Sequence, residues 1–156
     1  MEGDRQVPFR APAWDLGRVR LQPTTRPLLM GIVNLTPDSF WAGSRGDGPE
    51  AAVGLALRLV AEGADLLDLG AESSRPGAEP VGEEVEKARL LPVLRLLRRQ
   101  TDLPLTVDTV RAGTAAAALA EGADAINDIS AGCFDAGMLP LVAGAGCGLV
   151  LMHMRG

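Results

Sequence analysis

Aromatic side chains are scarce in this chain. Its 156 residues include three Phe, two Trp and no Tyr, although 47% of the residues are hydrophobic. Aromatic rings usually supply much of the buried area of a core, so this core must be built from Leu, Val, Ala, Ile and Met. The length suffices for one domain with a sizeable core.

The chain also contains few cysteines and has no net positive charge. The two cysteines, Cys133 and Cys147, are too few for a disulfide framework, so we expect free thiols in a reducing compartment. The net charge of -5 argues against nucleic acid or an anionic membrane as a partner, because both attract basic surfaces. No apolar run reaches the length of a membrane span, and no signal peptide is visible. These features predict a soluble, cytoplasmic protein.

Apolar strands alternate with helices along the chain. Strands are predicted over 28–33, 64–70, 103–108, 123–129 and 147–154, and helices over 48–63, 83–100, 109–122 and, more loosely, 135–145. This repeat predicts a parallel sheet with right-handed crossovers. A Rossmann-type sheet is the competitor, but no G-x-G-x-x-G follows the first strand and no Walker A sequence occurs. We therefore predict an α/β protein of the (β/α) barrel type.

An internal repeat supports this interpretation. The pentapeptide AEGAD occurs at 61–65 and again at 120–124, each time closing a predicted helix and opening a predicted strand. An identical sequence at both places predicts the same helix-to-strand junction, with the glycine just past the helix end.

The length implies only part of a barrel. A complete barrel needs roughly 200 or more residues, so residues 28–156 are expected to supply about the first five strands of a longer (β/α)8 TIM barrel. Alone, they would leave the first and fifth strands with unpaired edges and a tendency to associate. Residues 1–27 are predicted to be an N-terminal extension, in which Asp15-Leu16-Gly17 can turn a small hairpin.

Polar residues follow the apolar runs at the predicted strand ends. The chain contains only two Asn, and both Asn34 and Asn127 fall at such ends. A carboxamide offers donors and an acceptor together, which suits a heterocycle edge or a metal-bound oxygen. Asp108 ends another strand and could accept hydrogen bonds from an aminopyrimidine ring. The carboxyl ends of barrel strands carry the active site in this type of fold.

Structural roles compete for the same residues. An Asn at a strand end is often only a turn former, and Asp108 could instead cap the helix that follows. Arg75 lies in a loop rich in Gly and Pro, where exposed arginines are common. The single histidine, His153, could be a buried core residue between Met152 and Met154; it has no ligand partners at zinc spacing.

These segments resemble one known family. MGIVNLTPDSF (30–40), DLGAESSRPGAEPV (68–81), VDT (107–109), INDISAG (126–132) and LMHMRG (151–156) look like dihydropteroate synthase, in that family's order and approximate spacing. The resemblance covers the chain from about Leu28 to Gly156. It implies a (β/α)8 barrel that joins p-aminobenzoate to 6-hydroxymethyl-7,8-dihydropterin pyrophosphate with Mg2+ assistance, releases pyrophosphate, and is usually a homodimer.

The resemblance also implies roles for particular residues. The family's pterin site maps onto Asp108 and Asn127, with Ile129 and Met152 as apolar neighbours. Its metal and pyrophosphate contact maps onto Asn34. Its second loop, which approaches p-aminobenzoate, maps onto Ser74 and Arg75, so the implied catalytic set is Asn34, Ser74 and Arg75.

The chain departs from the family pattern in three respects. Ser74 replaces the usual Thr, and Ala42 stands where the first loop usually carries an Asp, which leaves the role of loop 41–48 open, with Asp47 as a nearby substitute. The later barrel strands, with further pterin and pyrophosphate contacts of the family, are absent, so we expect this chain alone to be inactive.

Two other functions stay open. The chain could be a non-catalytic half-barrel or pterin-binding paralogue. A methyltransferase that passes a methyl group from methyltetrahydrofolate to a corrinoid protein would share the Asp and Asn, but it would not need the ESSRPG loop.

Overall fold

The computed structural model describes residues 12–22, 26–36, 48–72 and 80–153. In these residues a small hairpin is followed by a regular alternation of strands and helices. The strands are β1 (Trp14–Asp15), β2 (Arg20–Leu21), β3 (Met30–Asn34), β4 (Leu66–Gly70), β5 (Leu105–Asp108), β6 (Ala125–Asp128) and β7 (Gly148–Leu151). The helices are α1 (Pro49–Ala61), α2 (Glu83–Arg98), α3 (Ala112–Ala120) and α4 (Met138–Ala145).

Strands β3 to β7 form one parallel sheet in sequential order, β3-β4-β5-β6-β7. A doubly wound sheet would reverse its strand order at a switch point, and these five strands show no reversal. Consecutive helices pack against each other, α1 on α2, α2 on α3 and α3 on α4. The sequential order and the single helical layer confirm the predicted barrel type over the Rossmann alternative.

The core lies between the sheet and this helical layer. Successive residues of a strand point to opposite faces, so one face of each strand meets the helices and the other carries the candidate site. The strand residues buried against the helices include Val33, Leu67, Leu69, Leu105, Val107 and Ile126, and the helical residues include Ala56, Val93, Leu94, Leu97, Ala115, Ala118 and Val142. As the composition predicts, this core is aliphatic.

The repeated AEGAD sequence forms the same junction twice. Gly63 and Gly122 follow the ends of α1 and α3 with φ angles of 104° and 97°, in the left-handed region that favours glycine. The aspartate that ends each repeat then binds the neighbouring strand. Asp65 accepts a hydrogen bond from Leu29 N and Asp124 accepts one from Leu105 N, each at 2.8 Å. The prediction of a shared junction geometry is confirmed down to these side-chain contacts.

The predicted hairpin covers the amino-terminal ends of β6 and β7. β1 pairs with β2 in antiparallel fashion, and the intervening Leu16 is buried. Gly148 at the start of β7 lies against Leu16, and a Cβ atom built on this glycine would stand 2.8 Å from Ala125 Cβ. Arg18 fixes the hairpin further by donating from Nε to Asp124 Oδ1 at 2.8 Å.

The structure shortens several predicted elements. The strand predicted over 147–154 ends at Leu151, and the helix predicted from residue 109 begins at Ala112. Each of these two ends differs by three residues, more than the one or two that fraying explains. At α3, Thr109 still hydrogen-bonds to β6, through Thr109 N and Asn127 O at 3.1 Å, so the helix begins only after it. No helix within the described ranges is both long and apolar enough to span a bilayer.

Candidate functional site

Three of the predicted site residues, Asn34, Asp108 and Asn127, lie in a single row across the sheet. The strand register pairs Asn34 with Gly70, Gly70 with Asp108, and Asp108 with Asn127. The open position at Gly70 brings its neighbours together. A Cβ atom built there would lie 3.6 Å from Asp108 Oδ2 and 3.9 Å from Asn34 Oδ1. The carboxamides and the carboxylate that the sequence places on three separate strands therefore meet at one edge of the sheet.

The side chain of Asn127 is oriented by a buried aspartate. Asn127 Nδ2 donates a hydrogen bond to Asp68 Oδ2 at 3.2 Å. Thr106 Oγ1 donates to the other oxygen of the same carboxylate, and Asp68 is only 4% exposed. Since a carboxylate can only accept, this contact fixes which end of the amide is Nδ2 and leaves Asn127 Oδ1 directed elsewhere.

The neighbouring Asp128 has a different role. Its two carboxylate oxygens accept hydrogen bonds from Ser130 N and Oγ and from Gly132 N, at 2.7 to 2.9 Å. Adjacent residues of a strand face opposite sides, so Asn127 lies in the row while Asp128 shapes the loop that follows β6.

Asp108 has an unusually high proton affinity. Burial, with the negative charges of Asp68, Glu86, Asp128 and Glu72 acting in the same direction, raises the pKa of its carboxyl group to about 7. No described residue donates a hydrogen bond that would stabilise its ionised form. A carboxylate in this setting gains most from a ligand that brings N–H donors.

The alternative that Asp108 caps the next helix is wrong. Helix α3 begins at Ala112, and its N-cap residue is Arg111, which makes no capping bond with its side chain. The Ala112 N–H donates instead to Asp135 Oδ2 at 2.8 Å. The Asp108 side chain therefore lies clear of this helix end.

Asn34 is exposed at the end of β3, close to Gly70 and Asp108. The described residues contain no cluster of three or more His, Cys, Asp or Glu that could hold a metal ion. Mg2+ commonly takes only one or two protein ligands and completes its shell with water and substrate phosphates. An amide oxygen at Asn34 fits that pattern as a single ligand.

The apolar neighbours predicted for the site flank the row. Ile129 directly follows β6 and is partly buried, whereas Met152 directly follows β7 and is 39% exposed. Met152 N donates to Asp128 O at 3.1 Å, which holds the two segments side by side beyond the strand ends.

The prediction that His153 could be a buried core residue is wrong. β7 ends at Leu151, so His153 lies beyond the sheet and is exposed.

The remaining predictions fall outside the described residues. These are Ser74 and Arg75 of the second loop, and most of loop 41–48 with Ala42 and Asp47. The described ends of the second loop are Glu72 and residues 80–82.

Sequence reasoning missed two residues that organise this region. Thr106 lies two residues before Asp108 on the same strand face, and its hydroxyl orients Asp68. Arg111 contacts Glu72, Glu86 and Val81 O. Thr106 could have been found from the sequence, because its spacing of two residues from Asp108 places both on the same face of the strand. The contacts of Arg111 join distant segments and have no such local signal.

Comparison with known proteins places this arrangement in a family. The family model described as pterin binding enzyme matches residues 30–156. The chain belongs to this family. Dihydropteroate synthase of Synechocystis is 37% identical over 153 residues, which cover 98% of this chain and 53% of that protein.

Solved structures of pterin binding enzymes agree. Dihydropteroate synthase of Xanthomonas albilineans with 4-aminobenzoic acid superposes with a TM-score of 0.85 at 48% identity, covering 93% of this chain and 53% of that one. The Burkholderia cenocepacia dihydropteroate synthase complexed with 7,8-dihydropteroate gives 0.82 at 42% identity, covering 95% and 48%.

The fold is therefore that of a (β/α)8 TIM barrel, of which this chain supplies five strands. The chain spans about half the length of the curated relatives it matches.

Proposed function

We propose that this chain forms the pterin-binding part of a dihydropteroate synthase, a transferase of folate biosynthesis. The reaction would join p-aminobenzoate to 6-hydroxymethyl-7,8-dihydropterin pyrophosphate. The observation that carries this proposal is the row formed by Asn34, Asp108 and Asn127 across neighbouring strands, in a chain whose relatives include dihydropteroate synthases.

Asp108 and Asn127 would bind the pterin. The 2-amino-4-oxopyrimidine edge of a pterin carries adjacent N–H donors and an oxygen acceptor. The Asp108 carboxylate would accept from those N–H groups, and the Asn127 amide, held by Asp68, would complete the contact. Ile129 and Met152 supply apolar surface beside the ring.

The chemical step transfers the pterin methylene group. The amine nitrogen of p-aminobenzoate would form a bond to the methylene carbon, while the bond from that carbon to the pyrophosphate oxygen breaks. Pyrophosphate leaves with the electron pair, and the amine loses a proton. Ser74 and Arg75 are assigned to the approach of p-aminobenzoate by their match to the family's second loop.

Asn34 would serve the leaving group. Its exposed amide lies beside Gly70 at the end of β3, with Asp108 on the other side of that glycine, where it can contact pyrophosphate and contribute one ligand to Mg2+. When bound, Mg2+ would offset the negative charge that develops on the leaving pyrophosphate.

The proposal extends to assembly and location. We expect a homodimer in the full-length protein, as is usual in the family, and sedimentation would test this. A cytoplasmic location is supported by the free thiols of Cys133 and Cys147.

The proposal is tested first by calorimetric titration of the 156-residue protein with the pterin pyrophosphate and Mg2+. A second experiment adds p-aminobenzoate and detects 7,8-dihydropteroate. An affinity at least roughly tenfold lower in Asn127→Ala and in Asp108→Ala than in the wild type supports the pterin site. Asp102→Asn, an exposed position outside the row, is the matched control.

The outcomes separate the alternatives. Pterin binding by this chain, with product formation in the full-length protein, supports the synthase. Binding without product in the full-length protein would indicate a pterin-binding half-barrel. An affinity equal to that of the wild type in both Asn127→Ala and Asp108→Ala would contradict the assigned site.

A further inference from the structure

Arg111 contacts both ends of the second loop. Its Nη1 forms an ion pair with Glu72, which follows β4, and its Nη2 donates to Val81 O at 2.7 Å, just before α2. The chain between these contacts contains Ser74 and Arg75. A planar guanidinium group can make such divergent contacts at once because its donors point in fixed directions.

The Arg111 side chain is itself held tightly. It is 12% exposed and forms a second ion pair, from Nη1 to Glu86 Oε2 at 3.1 Å, with a carboxylate that is 1% exposed. Thr114 Oγ1 donates to the same oxygen of Glu86 at 2.7 Å. The guanidinium carbon also lies 5.6 Å from the centre of the Phe134 ring.

The backbone of Arg111 is tied to the pterin row. Arg111 N donates to Thr109 Oγ1 at 3.2 Å, and Thr109 N donates to Asn127 O at 3.1 Å. Asp108 immediately precedes this turn. A short chain of bonds thus runs from Asn127 and Asp108 through Arg111 to both ends of the second loop.

Burial makes these contacts strong and difficult to replace. Glu86 Oε1 is buried without a hydrogen-bond partner in the described structure, so the cation of Arg111 is what offsets the Glu86 charge. Removing one partner of a buried ion pair costs far more than losing an exposed pair.

We propose that Arg111 is a positioning residue that fixes the start and the return of the second loop relative to the pterin row. Resting on the proposed function, the effect would be to hold Glu72 and Val81, the described ends of the p-aminobenzoate loop, in a fixed position relative to pterin bound at Asp108 and Asn127. Arg111 touches neither substrate in this proposal, so it acts through the loop.

Cleavage by a protease specific for glutamate tests the loop anchor directly. Such a protease must bind the Glu72 carboxylate, which Arg111 holds, to cut between Glu72 and Ser73. Under native conditions the rate reports how often this segment opens. Arg111→Met is expected to raise cleavage at Glu72 roughly tenfold relative to cleavage at the exposed Glu62, which serves as an internal reference.

Arg98→Met is the matched control. Arg98 is also largely buried, pairs with Asp124 and donates to Gly122 O, but it lies at the opposite ends of the strands. It should leave the ratio of cleavage at Glu72 to that at Glu62 unchanged. An unchanged ratio in Arg111→Met, or an equal rise in both variants, would overturn the proposal.

A second variant keeps the proposal testable if Arg111→Met fails to fold. Arg111→Met leaves Glu86 buried without its cationic partner, whereas the double substitution Arg111→Met with Glu86→Gln removes both members of the pair and should show the same rise at Glu72. Its failure to do so would also overturn the proposal.

Kinetics separate this proposal from the proposed function. Arg111→Lys keeps the charge but cannot reach Glu72, Glu86 and Val81 O together. In the full-length protein we therefore expect a raised KM for p-aminobenzoate and a nearly unchanged KM for the pterin. If the wild-type chain does not bind the pterin, the proposed function is contradicted. The ratio of cleavage at Glu72 to that at Glu62 would still show whether Arg111 holds the loop ends. A pterin KM that rises as much as that for p-aminobenzoate would contradict the role in loop placement.

Discussion

At the scale of single residues, Asn127 depends on Asp68 for its orientation. An amide that is free to flip presents either a donor or an acceptor, and the buried Asp68 carboxylate permits only the Nδ2 end on its side. Thr106 holds the other oxygen of Asp68. Two residues that touch no ligand in the proposed function therefore determine what the ligand meets.

Asp68→Asn should weaken pterin binding. The carboxamide presents one oxygen in place of two. With that oxygen toward Asn127 Nδ2 the contact loses the carboxylate charge, and with its Nδ2 there two donors conflict, so Asn127 is held less firmly. We expect roughly a tenfold loss in affinity for the pterin pyrophosphate, measured by calorimetry. Thr106→Val should give a smaller loss, because it leaves the Asn127 contact in place. An affinity equal to wild type in Asp68→Asn would show that this contact does not orient the site.

At the scale of elements, the helix-to-strand junctions set the strand register at the end of the sheet opposite the site. The two AEGAD junctions use the same backbone geometry but differ in burial. Asp124 accepts from Arg18, Arg98 and Leu105 N with its side chain 2% exposed. Asp65 pairs with the exposed Arg26, and its own side chain is 20% exposed.

Asp124→Ala should destabilise the fold far more than Asp65→Ala. It leaves the Arg98 and Arg18 guanidinium groups and Leu105 N without their acceptor, at a cost of about 3–5 kcal/mol in the free energy of unfolding. The same change at Asp65 breaks an exposed pair and should cost much less. Urea unfolding followed by circular dichroism measures both. Equal losses would show that burial does not distinguish the two junctions.

At the scale of the whole molecule, the carboxylates of several elements act on one group. Asp68 on β4, Glu72 after β4, Glu86 on α2 and Asp128 on β6 all raise the pKa of Asp108, together with its burial. The apolar residues of the open sheet edges, Met30, Ile32, Val150 and Met152, are 36–58% exposed. The site face of the sheet thus carries the Asp68 and Asp108 carboxylates, and its open edges expose apolar side chains.

This concentration of negative charge predicts a pH-dependent stability. The pKa of Asp108 rises from 3.8 to about 7 on folding, so between these values the folded protein holds a proton that the unfolded chain has lost. The contribution of Asp108 to the free energy of unfolding therefore falls as pH rises from about 4 to about 7, by up to about 4 kcal/mol, and is level above that range.

Asp108→Asn removes this titration. The free energy of unfolding of the variant minus that of wild type should be larger at pH 8 than at pH 5. Urea unfolding of both proteins at both pH values measures this difference. A stability difference between variant and wild type that is the same at both pH values would contradict the raised pKa.

Much of this protein could be read from short windows of sequence. The alternation of apolar runs and helical segments predicted the parallel sheet, and the repeated AEGAD predicted two equal junctions, because each pattern acts through neighbouring residues. The rare Asn34 and Asn127 pointed to the strand ends, which the register then brought together. His153 was misplaced because nothing local marked the end of β7 at Leu151.

The tertiary structure decided what depends on distant residues meeting. Asn127 and Asp68 are 59 positions apart, and Arg111 and Glu72 are 39 apart. Their contacts follow from strand register and helix packing, which no local window contains. The sequence by itself determined the elements, the order of the strands and the family motifs. The packed sheet decided the orientation of Asn127, the proton affinity of Asp108 and the contacts of Arg111, because burial and long-range pairing exist only in the folded chain.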